Sequence, residues 1–145
     1  MTHEDSGNYS GKHPEGTEVD PVVAEKLLAV AKEGGVGCAA AHAIAGECGR
    51  EPGVVGRTID LLELKIQRCQ LGLFGYLPKH RIVEAAASVE PELENAIRVA
   101  LQAGKLTCAA SWDIARRFSL PKMAVSSACE KLGIKISTCQ LGAFR

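Results

Sequence analysis

Aromatic side chains are few: three Phe, two Tyr and one Trp make up 4% of the 145 residues. The 46% apolar content is therefore carried by Ala, Leu, Ile and Val. Small aliphatic side chains suit close-packed short helices better than a β-sandwich. Excess charge is also missing, since 17 Lys and Arg balance 17 Asp and Glu. That balance argues against a general polyanion binder, whose affinity rests on net cationic charge. No apolar run is long enough to span a bilayer, and no charged-then-apolar leader opens the chain, so a soluble protein with no membrane partner is expected. Six cysteines without an export signal point to thiols in a reducing cytoplasm rather than to disulfides. There is no phosphate loop, no Gly-x-Ser-x-Gly and no His-Glu-x-x-His, and a short Ala-rich chain leaves little room for a catalytic cleft. The expectation is a protein that is not an enzyme and carries no cofactor.

Neutrality overall hides an uneven distribution. Residues 1–18 carry a net charge of −3, 19–76 of −1, 77–88 of +1 and 89–145 of +3. An acidic tail thus masks a mildly basic second half.

The dominant feature is an internal repeat. Displaced by 70 residues, the sequence lies on itself without a gap from Val19/Val89 to Phe74/Phe144, with 17 of 56 positions identical. The identities include Pro21/Pro91, Gly34/Gly104, Cys38-Ala39-Ala40/Cys108-Ala109-Ala110, Ile44-Ala45/Ile114-Ala115, Val55/Val125 and Leu62/Leu132. They end on Cys69-Gln70-Leu71-Gly72/Cys139-Gln140-Leu141-Gly142. A polar disordered tail at 1–18, a first repeat at 19–76, a linker helix at 77–88 and a second repeat at 89–145 follow as the domain plan.

Read against each other, the repeats predict three helices and a strand apiece. Asp20-Pro21 and Glu90-Pro91 open the first helix, with Pro in the first turn where its missing N–H costs nothing. Val23, Leu27 and Val30 recur at helical spacing, as do Leu93, Ile97 and Ala100, up to Gly34 and Gly104. The second helix opens at Cys38 or Cys108, with Thr107 a good N-cap and Gly37 a weaker one. Gly49 and the Ser119–Pro121 region break it. Val55, Ile59 and Leu62 line the third helix, matched by Val125, Cys129 and Leu132. Short strands at Lys65–Leu71 and Lys135–Leu141 close the units.

The string Ile44-Ala45-x-x-Cys48-Gly49-x5-Val55-x-Arg57-x-Ile59-x-x-Leu62 resembles the helix-turn-helix signature of winged-helix regulators. In that signature the small residue lets two helices touch, the turn Gly takes a left-handed backbone, and the apolar residue ten places after the Ala pins the third helix. The second repeat keeps Ile114, Ala115, Phe118, Val125 and Leu132 but has Ser119 at the turn. The resemblance implies a mainly α fold with short β-strands, built of tandem three-helix units related by pseudo-two-fold symmetry. It implies a transcriptional regulator that binds double-stranded DNA, with each third helix in the major groove. Arg57, Thr58 and Asp60 would then face outward in the first repeat, and Lys122, Ser126, Ser127 and Lys131 in the second. Arg50, Lys65, Arg116, Arg117 and Lys135 would meet phosphates. A wing needs two strands and each repeat offers one. A second arrangement is that the two Cys-Gln-Leu-Gly strands pair with each other, making one chain resemble a homodimer.

Other readings stand beside this one. Neutral charge, Asp60 and Glu63 on the third helix, and the missing wing strand fit a protein-interaction module that no longer touches DNA. Cys38, Cys69, Cys108 and Cys139 are kept in both repeats, which suits a metal or redox sensor. Without a Cys-x-x-Cys, and with His42 replaced by Trp112, buried packing thiols and no metal are the plainer expectation. Cys48 and Cys129 align with Phe118 and Ile59 and read as core side chains.

Overall fold

A computed structural model describes residues 8–145. Among them are six α-helices, four short strands and one turn of 3-10 helix at Tyr9–Lys12. The elements run α1 (Pro21–Val30), β1 (Gly35–Gly37), α2 (Cys38–Cys48), α3 (Pro52–Leu61) and β2 (Lys65–Gln67). The same order then recurs as α4 (Pro91–Ala100), β3 (Leu106–Thr107), α5 (Cys108–Arg117), α6 (Lys122–Leu132) and β4 (Ile136–Ser137). The fold is mainly helical with short strands. No helix of the described residues is long and apolar enough to cross a membrane.

The chain divides into two compact units whose borders cut across the repeats. One comprises the chain up to Cys69 together with Gln140–Phe144; the other comprises Gln70–Cys139 and Arg145. The Gln-Leu-Gly-x-Phe segment that ends the first repeat therefore belongs with the helices of the second, and the reverse. Pairing of the two Cys-Gln-Leu-Gly segments as strands is overturned. The strands stop at Gln67 and Ser137, and the motif that follows is a turn built on left-handed Gly72 and Gly142.

Local chemistry explains most helix limits. The Asp20 carboxylate caps α1 by accepting from Val22 N–H at 3.1 Å and Val23 N–H at 3.2 Å. Thr107 Oγ1 caps α5 by accepting from Ala110 N–H at 3.1 Å, whereas Gly37 offers α2 no side chain. Gly34 and Gly104 do not cap the first helices, which end earlier on extended Ala31 and Leu101. Each glycine instead follows a residue of positive φ, Glu33 or Ala103, in a tight turn. The turn is closed by Lys32 and Gly35 in one unit and by Gln102 and Lys105 in the other. Two successive left-handed residues are what such a turn demands. The turns lead into β1 and β3, which sequence reading missed. Each of these pairs in parallel with the strand after the third helix, Val36 beside Ile66 and Leu106 beside Ile136. That pairing replaces a wing hairpin.

Cores fall where the repeat predicts. Val23, Leu27, Val36, Ile44, Ala45, Val55 and Ile59 are buried in the first unit. Leu93, Ile97, Leu106, Ile114, Ala115, Val125 and Cys129 form the cluster of the second. Each fully buried Leu or Ile contributes roughly 1.5–3 kcal/mol relative to exposure. Val30 departs from the expected stripe and is 44% exposed.

Two expectations about connecting segments fail. The expected linker helix at 77–88 is absent: Tyr76 and His80 bracket a turn, and the chain then runs without helix or strand to Glu90. The expected disordered tail falls partly on residues 1–7, which lie outside the described residues. Over 8–18 the chain is docked: Tyr9 is buried, and the Tyr9 and Ser10 N–H groups donate to the Glu63 carboxylate at 2.7 and 3.0 Å.

Candidate nucleic-acid interface

The outer surfaces of α3 and α6 carry the DNA-reading expectation, so their coverage decides what the molecule can do. The α2–α3 turn is short, and Gly49 at its start takes φ 63°. The equivalent Ser119 takes φ 54° between α5 and α6. α3 then packs on α1 and α2, and α6 on α5, but their other flanks are not bare.

On α3 the covering is provided by Gln140–Phe144 and by the docked tail. Leu141 is buried, and its carbonyl crosses Gly56 so closely that a Cβ added there would overlap the oxygen. Asp60, expected to face solvent, is 4% exposed. Its carboxylate lies 2.9 Å from His13 Nε2 and 3.2 Å from Lys12 Nζ. Lys12 Nζ also donates to the Gly142 carbonyl at 3.1 Å, strapping the segment in place. On α6 the covering comes from 71–86. Ser126 Oγ donates to the buried Leu71 carbonyl at 2.6 Å, Ala86 N–H donates to the Ser127 carbonyl at 3.0 Å, and Arg81 pairs with Glu130.

The expected contact residues therefore divide. Thr58 is fully buried, its Oγ1 bonded to the Val54 carbonyl at 2.9 Å, and Ser126 is 1% exposed. Neither can reach a base edge, and both are corrections to the sequence reading. The hydroxyl of each is held inside its unit because a small polar side chain on a covered helix face needs an internal partner. Arg57 and Ser127 are half-buried at equivalent positions, and Arg57 Nε is enclosed with no hydrogen-bond partner among the described residues. Lys65, Lys131 and Lys135 are exposed.

Arg50 is exposed and tied to the α1 cap, its Nε 2.7 Å from Asp20. That hydrogen bond, followed by the Val23 N–H, holds the Asp20 carboxyl below its ordinary range, and Asp20 in turn raises Arg50. Arg116 and Arg117 both bridge to Asp113 on their own helix. Lys122 Nζ stands 4.5 Å from the Trp112 ring centroid, a cation–π distance. Trp112, Asp113, Arg116, Leu120 and Lys122 line an open recess of about 500 Å³ in the second unit. Sequence reading missed this grouping; the lone Trp beside a basic helix end was its one visible sign.

Charge is segregated between the units. The first carries seven basic against eleven acidic side chains, and the second ten against six. Both units expose apolar side chains, Val22 at 47% and Leu28 at 59% on α1 in the first and Val99 at 77% on α4 in the second; Val30 of α1 is 44% exposed. Beside it lies a recess of about 240 Å³ lined by Ala29, Val30, Ala40, Ala43 and the Lys26–Glu47 pair.

All six cysteines are thiols. Cys38 and Cys69 belong to one unit, Cys108 and Cys139 to the other. Among the described residues no three His, Cys, Asp or Glu side chains are placed to hold a metal ion. Comparison with protein-family models, curated proteins and solved structures found no match.

Proposed function

We propose that this chain is a protein-interaction module: two helix-turn-helix units of winged-helix ancestry whose third helices no longer read DNA. The observation that carries the reading is the covering of both third helices from within their own units, by Leu141 across Gly56 and by Leu71 on Ser126. A recognition helix must present several side chains to base edges. Here Thr58, Asp60 and Ser126, three of the candidates, are buried. The first unit is acidic, which opposes approach to phosphate. On α1 it offers exposed Val22 and Val30, with Val30 and Ala29 lining the recess against Ala40 and Ala43, the kind of surface a protein partner covers. The thiol state of the cysteines fits a reducing, cytoplasmic setting.

Affinity capture with the wild-type chain and with a Val22→Asp, Val30→Asp variant tests this. The expected result is one protein partner retained by the first and lost by the second, with no nucleic acid.

Charge favours a second reading, in which the basic second unit binds duplex DNA through Arg116, Arg117, Lys122, Lys131 and Lys135. It predicts anisotropy changes with labelled duplex at about 50 mM salt, where the phosphate contribution is strong, abolished by Arg116→Glu with Arg117→Glu. Such binding would overturn the first reading.

A further inference from the structure

The Gln-Leu-Gly-x-Phe sequence occurs twice, and each occurrence is seated on a third helix outside its own repeat. Each seat is shaped for a backbone carbonyl at one position of that helix. In the first unit the carbonyl of Leu141 crosses Gly56, where the absent side chain leaves room for it. In the second unit the carbonyl of Leu71 meets Ser126, the residue equivalent to Gly56, as a hydrogen-bond acceptor. The first seat buries Leu141 to 1% and Ala143 to 6% exposure. Lys12 closes over it, between the Asp60 carboxylate and the Gly142 carbonyl.

We propose that the α3 face floored by Gly56 is a peptide-docking site for Gln-Leu-Gly-x-Phe, and that its partner in trans is the same segment of a second copy of this chain. The segment is already recognised non-contiguously, from more than 80 residues away in sequence, so the seat reads the segment and not the local connection. Tethering gives the resident segment a high effective concentration. Exchange between chains therefore follows when the resident segment is weakened or chains are concentrated. The proposal does not depend on the α1 surface assigned to a partner above.

The test uses the full chain with Leu141→Ala, which weakens the resident segment, and a labelled peptide of residues 138–145. Anisotropy titration is expected to show saturable binding, at least about tenfold tighter than to wild type, whose seat is occupied. Adding Gly56→Leu is expected to abolish it. Mixing the Leu141→Ala chain with a Gly56→Leu chain is expected to give a heterodimer by native mass spectrometry. A folded Leu141→Ala chain that binds the peptide no better than a scrambled one overturns the proposal. If that variant does not fold, wild-type chains of two isotopic masses are refolded together at high concentration. Mixed dimers that disappear with Gly56→Leu support exchange, and a purely monomeric product overturns it.

Discussion

The Ser126 hydroxyl donates a 2.6 Å hydrogen bond to the carbonyl of Leu71, fifty-five residues earlier in the chain, and the carbonyl of Met123 lies 3.0 Å from the same oxygen. The equivalent position in the other unit is Gly56, which meets the Leu141 carbonyl with no side chain at all. One helix position thus solves the same problem, a backbone carbonyl pressed onto a helix, in two ways. Ser126→Ala leaves the Leu71 carbonyl without its hydroxyl donor and is expected to cost about 1–3 kcal/mol in urea unfolding. Gly56→Ser, which copies the second unit's solution into the first, is expected to cost as much or more, because its Cβ enters the oxygen's space. Equal stability of Gly56→Ser and wild type would show that the Leu141 carbonyl does not lie over α3 in solution.

Glu63 holds the docked tail from an unfavourable backbone. Its φ is 56°, where the second repeat has Gly133 at φ 71°. Glu63→Gly therefore relieves the left-handed strain at the end of α3, worth about 1 kcal/mol. It also removes the carboxylate that accepts from Tyr9 and Ser10. The expected outcome is selective: amide exchange at Tyr9 and Ser10 accelerates while the exchange of the α1–α3 core amides is unchanged or slowed. Acceleration throughout the first unit would mean that the tail is part of the cooperative core.

Asp60 ties the same tail through charge. With Lys12 and His13 both on its buried carboxylate, Asp60→Ala leaves the Lys12 ammonium without its counter-ion and the His13 ring without its hydrogen-bond partner. Breaking a buried pair by removing one partner costs about 3–5 kcal/mol, and the partial exposure of Lys12 and His13 places the expected loss below that range. A chain lacking residues 1–13 should lose a similar amount, and combining the two changes should add little more. Full additivity in chemical denaturation would separate Asp60 from the tail.

What the sequence revealed follows from which interactions are local. The repeat aligned Val23 with Leu93, Ile44 with Ile114 and Val55 with Val125, and all six are core, because helical periodicity is written into neighbouring residues. Thr107 as an N-cap and the left-handed turn at Gly49 are equally local. The outer face of α3 was not legible in the same way. Asp60 looks like a solvent-facing polar residue until the tail covers it, and a segment more than 80 residues away covers the neighbouring Gly56. No local pattern marks a helix face as covered. Gly56 was the available sign, since a glycine inside a helix costs about 1 kcal/mol against Ala and points to a close backbone approach.

Arg50 and Asp20 link the α2–α3 turn to the start of α1. The guanidinium keeps the Asp20 carboxyl below 3.8, so the folded chain binds that proton less readily than the unfolded chain. Stability from this contact is complete above the ordinary value and is lost only as pH falls through the lowered one. Arg50→Gln is expected to raise the Asp20 midpoint toward 3.8 in a carboxyl NMR titration, with the Val22 and Val23 amides still capped. An unmoved midpoint would mean that Arg50 does not hold Asp20 in solution.

Cys129 tests burial from the opposite pH limit. It sits in the second unit's core at 1% exposure, where loss of hydration pushes its thiol from 9.0 up to about 11. The folded chain therefore keeps this proton at pH values where the unfolded chain has released it. Stability from the group is complete below pH 9.0 and falls away as pH climbs to about 11. Cys129→Ala removes that dependence and exchanges it for a small cavity. Thiolate is the reactive species, so native labelling at pH 8 should reach the half-buried Cys48 and Cys139 first. Cys129 should react only at the rate of unfolding, measured as a plateau in reactivity at high reagent concentration. Prompt labelling of Cys129, identified by peptide mass, would show that α6 opens far more readily than its packing allows.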